Sequence, residues 1–454
     1  MRLIKKQSRY IHLAAAALIV LSLSSFKDSS NTKEAILKRI KAPTFPYKEI
    51  KISDLKSHSS KGKNWKPAFD KAMALSKKHK GSRIIVPADT YYVKGPIHFE
   101  ENTELHLEAG AVLLFSAQSE FYLPVVKTSW EGTFVYNYSP FIYAYQKKNI
   151  AITGQGIIKA DSADVWARWR DKQKGAQEES RDMNHKSVPL EKRIFGKGRF
   201  LRPHLVQFFE CENILIENIQ IEDSPFWCIH LVLSKNITVK GIKFNAHNLN
   251  NDGVDPEYSE DVLIENISFN NGDDNIAIKA GRDHDGRNMK RSSCNIAIRN
   301  CRFKGLHGVV IGSEMSAGVH HVYIDDCSFA GWLKRGIYVK SNADRGGEIS
   351  HIYANNISFG EMEDCIYITS KYKNEGQGYF TDIHDIYLSN IKCQKATGHG
   401  IFVEGFAEKR VHDLFMSNIS FDSVNIPTSI TNAEKIKMDT IYFGEGIESS
   451  EIKK

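Results

Sequence analysis

The chain predicts an all-β fold, a parallel β-helix built as one solenoid with a helical cap at its N-terminal end. Three observations predict it. From about residue 210 onward the same octet returns: ILIENIQI from Ile214, ITVKGIKF from Ile237, VLIENISF from Val262, IAIRNCRF from Ile296, VYIDDCSF from Val322, IYANNISF from Ile352, IYLSNIKC from Ile386 and LFMSNISF from Leu414. Each octet is apolar at alternate positions, which is the period of a strand. Each carries Asn, Asp or Gly before a second short strand, which is a turn signal. The starts lie 23 to 34 residues apart, a period of short strands with no long helical pattern, and so a stack of coils each covering the edge of the last.

The elements follow in chain order. Residues 1–25 place Arg2, Lys5, Lys6 and Arg9 before an apolar run from Leu13 to Leu23 and small residues near Ser24, the pattern of an export signal. The run is short for a membrane span, and no Cys follows it to take a lipid anchor. The expected mature chain is therefore secreted or periplasmic, with no membrane attachment after cleavage; an uncleaved anchor is the other reading. Residues 40–446 form the β-helix domain. Within it, residues 60–80 read as an amphipathic helix that caps the first coil, whose bare edge needs cover. Residues 167–199 are highly charged and lack strand alternation. They read as a long, partly helical loop projecting beside the groove, and loops of that length are often functional. The tail after about Gly446 reads as disordered.

The composition is that of a soluble globular chain: 454 residues, 41% hydrophobic, 25% charged and a net charge of +7. The charge is scattered, and no nucleic-acid-binding motif accompanies it, so nucleic acid is not an expected partner. Seven cysteines cannot all pair within the chain. Cys301, Cys327 and Cys393 read as occupants of the slot held by Ile267, Ile357 and Ile419 in other coils, small buried hydrophobes. A Cys301–Cys327 bridge is open on spacing. The repeated "NIS" at Asn266, Asn356 and Asn418 reads as stacked turn Asn rather than as glycosylation sequons.

Aligning the second strands of the coils brings polar residues into one column. Two residues before the first apolar residue of each strand stand Asp252, Asp274, His307, Arg335, Asp364 and His399. Equivalent positions on adjacent coils lie about 4.8 Å apart, so Asp252 and Asp274, 22 residues apart in sequence, should face one another. Asp273 sits just outside the column. Two adjacent aspartates repel each other, and a site assembled by the solenoid, in coils of about residues 210–345, accounts for their being there.

These residues carry a resemblance. The chain is similar to glycoside hydrolase family 28, the polygalacturonase family. The family's Asn-Thr-Asp motif corresponds to Asn250, Asn251 and Asp252, with Asn251 in place of Thr. Gly-Asp-Asp corresponds to Gly272, Asp273 and Asp274. Gly-His-Gly corresponds to Leu306, His307 and Gly308, with Leu306 where Gly is usual. Arg-Ile-Lys corresponds to Tyr338, Val339 and Lys340, with Tyr338 in place of Arg. The likeness runs from about residue 40 to about residue 445. It implies a right-handed β-helix and hydrolysis of galacturonate-containing pectic chains with inversion. It also implies Asp273 as acid, Asp252 and Asp274 as base, and His307 in support.

The chemistry agrees. An inverting glycosidase needs one protonated carboxyl for the leaving oxygen and a second carboxylate, about 6.5–9.5 Å away, for water. Neighbouring carboxylates raise the pKa of a third, which would keep Asp273 protonated. No cofactor and no metal are needed, and no His/Cys cluster has zinc spacing. An acidic substrate calls for cations, and Lys340, Lys279, Arg282 and Arg335 are the candidates. His230 and Tyr338 lie in a neighbouring column and are candidate cleft-lining residues. Chain-end action is expected if the insertion at 167–199 walls off the groove. Two other readings stay open: a β-helix polysaccharide lyase, and a noncatalytic glycan-binding β-helix.

Overall fold

The structure is a computed structural model that describes residues 30–45, 48–55 and 64–444. The expected export signal and the tail after Gly446 lie outside the described residues. The chain winds into a right-handed parallel β-helix. Every octet predicted to stack does so in register: Ile214 with Ile237, Ile237 with Val262, Val262 with Ile296, Ile296 with Val322, Val322 with Ile352, Ile352 with Ile386 and Ile386 with Leu414.

Each octet is a strand, a turn residue and a further short strand, so a complete coil has three strands rather than two. The turn residue takes a left-handed conformation, at Asn266 (φ 57°), Asn356 (φ 55°) and Asn418 (φ 51°). Asn tolerates that region better than any residue but Gly. Asn418 donates to Asn390 at 2.6 Å, one coil below, so the apparent sequons are rungs of an Asn ladder.

The interior is a column of aliphatic side chains flanked by stacked rings. Phe244, Phe269 and Phe303 stack at centroid spacings of 5.0 and 5.1 Å. Cys301 and Cys327 occupy the aliphatic slot, Cys327 pairing in register with Ile357. Cys393 does not: it pairs with Phe359 and Phe421 and takes a ring position instead. All seven cysteines are free, so the Cys301–Cys327 bridge is not formed.

Two helices dress the solenoid as the amphipathic pattern predicts or fails to predict. Helix α1 (Lys33–Arg39), too short to show a periodic stripe, lies across the outside of the middle coils. Its Ile36, with Ile40 just beyond it, packs on Leu263 and Ala297, and Arg39 pairs with Asp261 at 2.7 Å. Helix α2 (Lys66–His79) is the expected cap. Its buried Phe69, Ala72 and Met73 join the core over the first coils, and Ser76 Oγ meets Thr103 Oγ1 at 2.7 Å.

The insertion differs from expectation. Residues 163–185 are not mainly loop but two consecutive helices, α3 (Ala163–Ala167) and α4 (Trp169–His185). The buried face of α4 is Gln173, Ala176, Ser180 and Asn184, a helical period written in polar letters. It docks through hydrogen bonds: Asn184 Nδ2 donates to Thr133 Oγ1 at 3.0 Å and to the Arg282 carbonyl at 3.1 Å. Beside it stands an antiparallel hairpin, Val126–Trp130 with Thr133–Asn137. At its tip Gly132 has φ +78°, and a Cβ there would lie 2.8 Å from Arg282 N. Only glycine lets the tip close on the site coils in this way.

Candidate active site

The predicted column exists. Asp274 pairs in register with His307, His307 with Arg335, and Arg335 with Asp364. Asp252 takes the preceding rung, fixed by Val254 against Ile276 and by Gly253 N donating to the Asp274 carbonyl at 2.9 Å. The pairing of the Asp274 coil with the His307 coil breaks register between Asn271 and Asp274. That break turns Asp273 out of the ladder, leaving its side chain 26% exposed while that of Asp274 is 3% exposed.

Adjacent aspartates therefore meet different surroundings. Asp274 has two close partners: Lys340 Nζ donates to Oδ2 at 2.9 Å, and His307 Nδ1 lies 2.7 Å from Oδ1. Burial opposes its ionisation, but Lys340 and then His307 overcome this and hold it well below the usual carboxylate range. Asp273 shifts the other way. Burial raises its pKa first and the charge of Asp274 adds to it. Asp252 also moves well upward, through burial and then the neighbouring Asp255. The two carboxyls expected to act as base are thus unequal, and the negative charge rests on Asp274.

Behind the carboxyls lies a buried lattice of charge. Lys279 Nζ stands 3.4 Å from Glu314, 3.8 Å from Asp252 and 4.0 Å from Asp255, and 4.5 Å over the ring of Trp227. Arg282 donates to Glu314 at 2.7 Å. Burial alone would raise Glu314, yet Lys279, Arg282 and Arg345 hold it well below its usual range.

Most of these groups line a cleft of about 630 Å3, with His307 and Asp255 behind its surface. Asp252, Asp273, Asp274, Lys279, Arg282 and Lys340 line it together, with Tyr372 and Trp227. One wall is the face of α4, contributing Arg170, Lys174, Gln177 and Arg181. Arg335 is not among the cleft-lining residues. Its guanidinium lies 4.6 Å over Tyr338 and 4.0 Å over Tyr367, with Nε 3.3 Å from Asp364. Tyr338 likewise does not line the cleft; it is buried to 3% exposure beneath Arg335. His230 is a clearer correction. It is fully buried, sits 2.8 Å from Glu257 and 2.9 Å from Gln207, and is covered by the hairpin, whose Thr128 bonds Gln207. Its column faces outward, but another element covers that face.

Several residues went unread in the sequence. Trp227 stands one coil before Asp252, with Cys228 N donating to the Asp252 carbonyl at 2.8 Å, and extending the column back one coil would have found it. Arg202 had no such signal. It is fully buried and donates from Nε to Gln173 Oε1 at 3.0 Å and from Nη2 to Asn250 Oδ1 at 2.7 Å. Asn250 Nδ2 in turn donates to Asp273 Oδ2 at 3.3 Å. A chain of hydrogen bonds thus joins the inserted helix to Asp273.

Among the described residues, two groups have ligand atoms within 4.8 Å of one another: Asp273, Asp274 and His307, and His185, Asp283 and Asp344. Each already holds a protein cation, Lys340 on Asp274 and Arg345 on Asp283.

Comparison with known proteins agrees with the fold. Residues 78–440 match the sequence profile of glycosyl hydrolases family 28. A solved exopolygalacturonase from Thermotoga maritima superposes with a TM-score of 0.86 at 32% identity, over 91% of this chain and 95% of that one. An endo-polygalacturonase of Pectobacterium carotovorum is 25% identical over 91% of this chain and 95% of its own length. A probable polygalacturonase of Vitis vinifera is 26% identical over 82% of this chain and 74% of its own length.

Proposed function

Because the chain belongs to glycosyl hydrolases family 28, we propose that it hydrolyses galacturonate-containing pectic chains with inversion, working from a chain end. Membership makes it a glycoside hydrolase of the polygalacturonase kind. The observation that carries the mechanism is the unequal pair at Asp273 and Asp274 within one cleft, one carboxyl pushed toward its protonated form by burial and its neighbour held toward its charged form by Lys340 and His307.

Asp273 is then the acid, giving its proton to the departing glycosidic oxygen as the bond to the anomeric carbon breaks. Asp274 is the base, taking a proton from the water that attacks that carbon from the opposite face. Asp252, on the rung beside it, holds the same water. His307 orients Asp274, and Lys340 keeps it charged. The product has inverted configuration.

We read chain-end action from α4, which walls one side of the cleft that holds the carboxyls. We also take the mature protein to be exported, on the basic and apolar pattern of residues 1–25; among the described residues no helix is long and apolar enough to cross a membrane.

The test is a panel of pectic substrates assayed for reducing ends, for anomeric configuration by proton NMR and for ultraviolet absorbance. Inverted, saturated products are expected. An unsaturated product absorbing in the ultraviolet would mean elimination, the chemistry of a lyase. Binding without any sugar release would mean a noncatalytic scaffold.

A further inference from the structure

The cations of the cleft fall into two groups. Most are committed. Lys340 is bonded to Asp274, Lys279 lies against Glu314 and Asp252, Arg282 is bonded to Glu314, and Arg345 to Asp283. Arg181 of α4 donates to Glu131 at 3.1 Å. Three others are not committed. Arg170 and Lys174 lie one turn apart on α4, and Lys373 stands on the loop after Ser370. All three are exposed, line the cleft that holds Asp252, Asp273 and Asp274, and have no carboxylate partner among the described residues.

A committed cation must give up an existing bond before it takes a ligand, whereas an uncommitted one at a rim need not. Three acids share that rim, Asp171, Glu131 and Glu375; Glu131 is held by Arg181 and Gln177, and Glu375 accepts from Asn342 at 3.4 Å. The helix that presents two of the cations is fixed in place. Trp169 at its start packs on Tyr138, Trp166 and Phe200. At its end His185 meets Asp283 at 3.0 Å and Asp344 at 3.2 Å. The positions of Arg170 and Lys174 relative to the floor are therefore held, as recognition of a fixed anion requires.

Resting on the reading of the chain as a hydrolase of acidic glycans, we propose that Arg170, Lys174 and Lys373 form a carboxylate clamp for the terminal uronate of the substrate. The clamp is a binding site separate from the catalytic carboxyls. It reads the charge of the chain end, while α4 makes that end the only part of the polymer to reach it.

The probes are trigalacturonate and two forms of it, each with one terminal carboxyl methyl-esterified. Wild type should show a KM about tenfold or more higher for one of the two esters than for the free acid. In the double variant Arg170→Ala, Lys174→Ala, and in Lys373→Ala, the KM for the free acid should rise by about ten- to hundredfold with kcat little changed. The penalty for esterifying that terminus should shrink toward one. Arg170→Lys should keep it. Added salt should raise the wild-type KM for the acid more than that of the double variant. If the variants raise the KM for acid and ester alike, or leave the ester penalty intact, the clamp is wrong while the hydrolase reading stands. If wild type turns over none of the three, the clamp falls, and the pectic panel alone decides the hydrolase reading.

Discussion

At the scale of single residues, the arrangement assigns opposite duties to two neighbours in sequence. Asp273→Asn should keep the fold and sugar binding yet lose about 10²–10⁴-fold in turnover. A folded Asp273→Asn protein with near wild-type activity would remove Asp273 from the mechanism. The pH profile has a definite sign. Asp273 is raised, so activity needs its proton and falls as pH climbs through that raised value. Asp274 is lowered, so the acid limb lies below the ordinary carboxylate range. Tyr338 belongs to the same scale. It carries no charge where the family's motif has Arg, and a phenol cannot replace a guanidinium fork. Tyr338 is buried beneath Arg335 and does not line the cleft, so its uncharged ring does not meet the substrate. Tyr338→Phe should therefore leave the ratio of catalytic efficiencies on plain and decorated pectic oligosaccharides unchanged. A ratio that moves with the substitution would put Tyr338 in specificity after all. The column of Asp252, Asp274 and His307 was legible in the sequence because parallel coils pair residue for residue, so counting from the first apolar position of each strand reproduces the register. His230 was misplaced because that count says which way a side chain points and nothing about what lies on top of it.

At the scale of elements, α4 decides how substrate enters. Early products should be short sugars, with little loss of polymer viscosity per bond cut. The helix is latched at its end by Asn184 and His185. Asn184→Ala with His185→Ala should loosen that latch and raise the viscosity lost per bond cut, read by viscometry beside a reducing-end assay. A rapid viscosity drop in the wild type itself would show internal cutting and make α4 irrelevant to entry. The helix was hidden in the sequence for a physical reason. Helices are usually recognised by an apolar stripe, and the buried stripe of α4 is Gln173, Ala176, Ser180 and Asn184. Helix α2 was visible because its stripe is Phe69, Ala72 and Met73. Helix α1 is only 7 residues long, too short for either signal.

At the scale of the whole molecule, the site is held by buried carboxyls that resist charging, and stability should record this. Burial raises Glu257, paired with His230, to about 7. A carboxyl raised on folding contributes stability that is fully present below its unfolded pKa, near 4.5, and is lost as pH rises through the folded value. Asp252, Asp255 and Asp273 are raised as well and act in the same direction. Buried His204 and His230 are lowered by burial and act in the opposite direction over the same window, so the carboxyl is read by difference. Relative to wild type, Glu257→Gln should gain melting temperature at about pH 8 compared with about pH 5; a pH dependence unmoved by the substitution would contradict the buried pair. The insertion bears on descent as well as on mechanism. Residues 163–185 leave the solenoid after Ile157–Ala160, and the chain rejoins it at Val206–Phe209. Both strands pair with their neighbours as an uninterrupted coil would. A lineage that shed that segment would keep every backbone rung of the catalytic column but lose the Gln173 contact that reaches Asp273 through Arg202 and Asn250. Where a polymer is cut and how it is cut are then linked traits, tied by one relay of side chains.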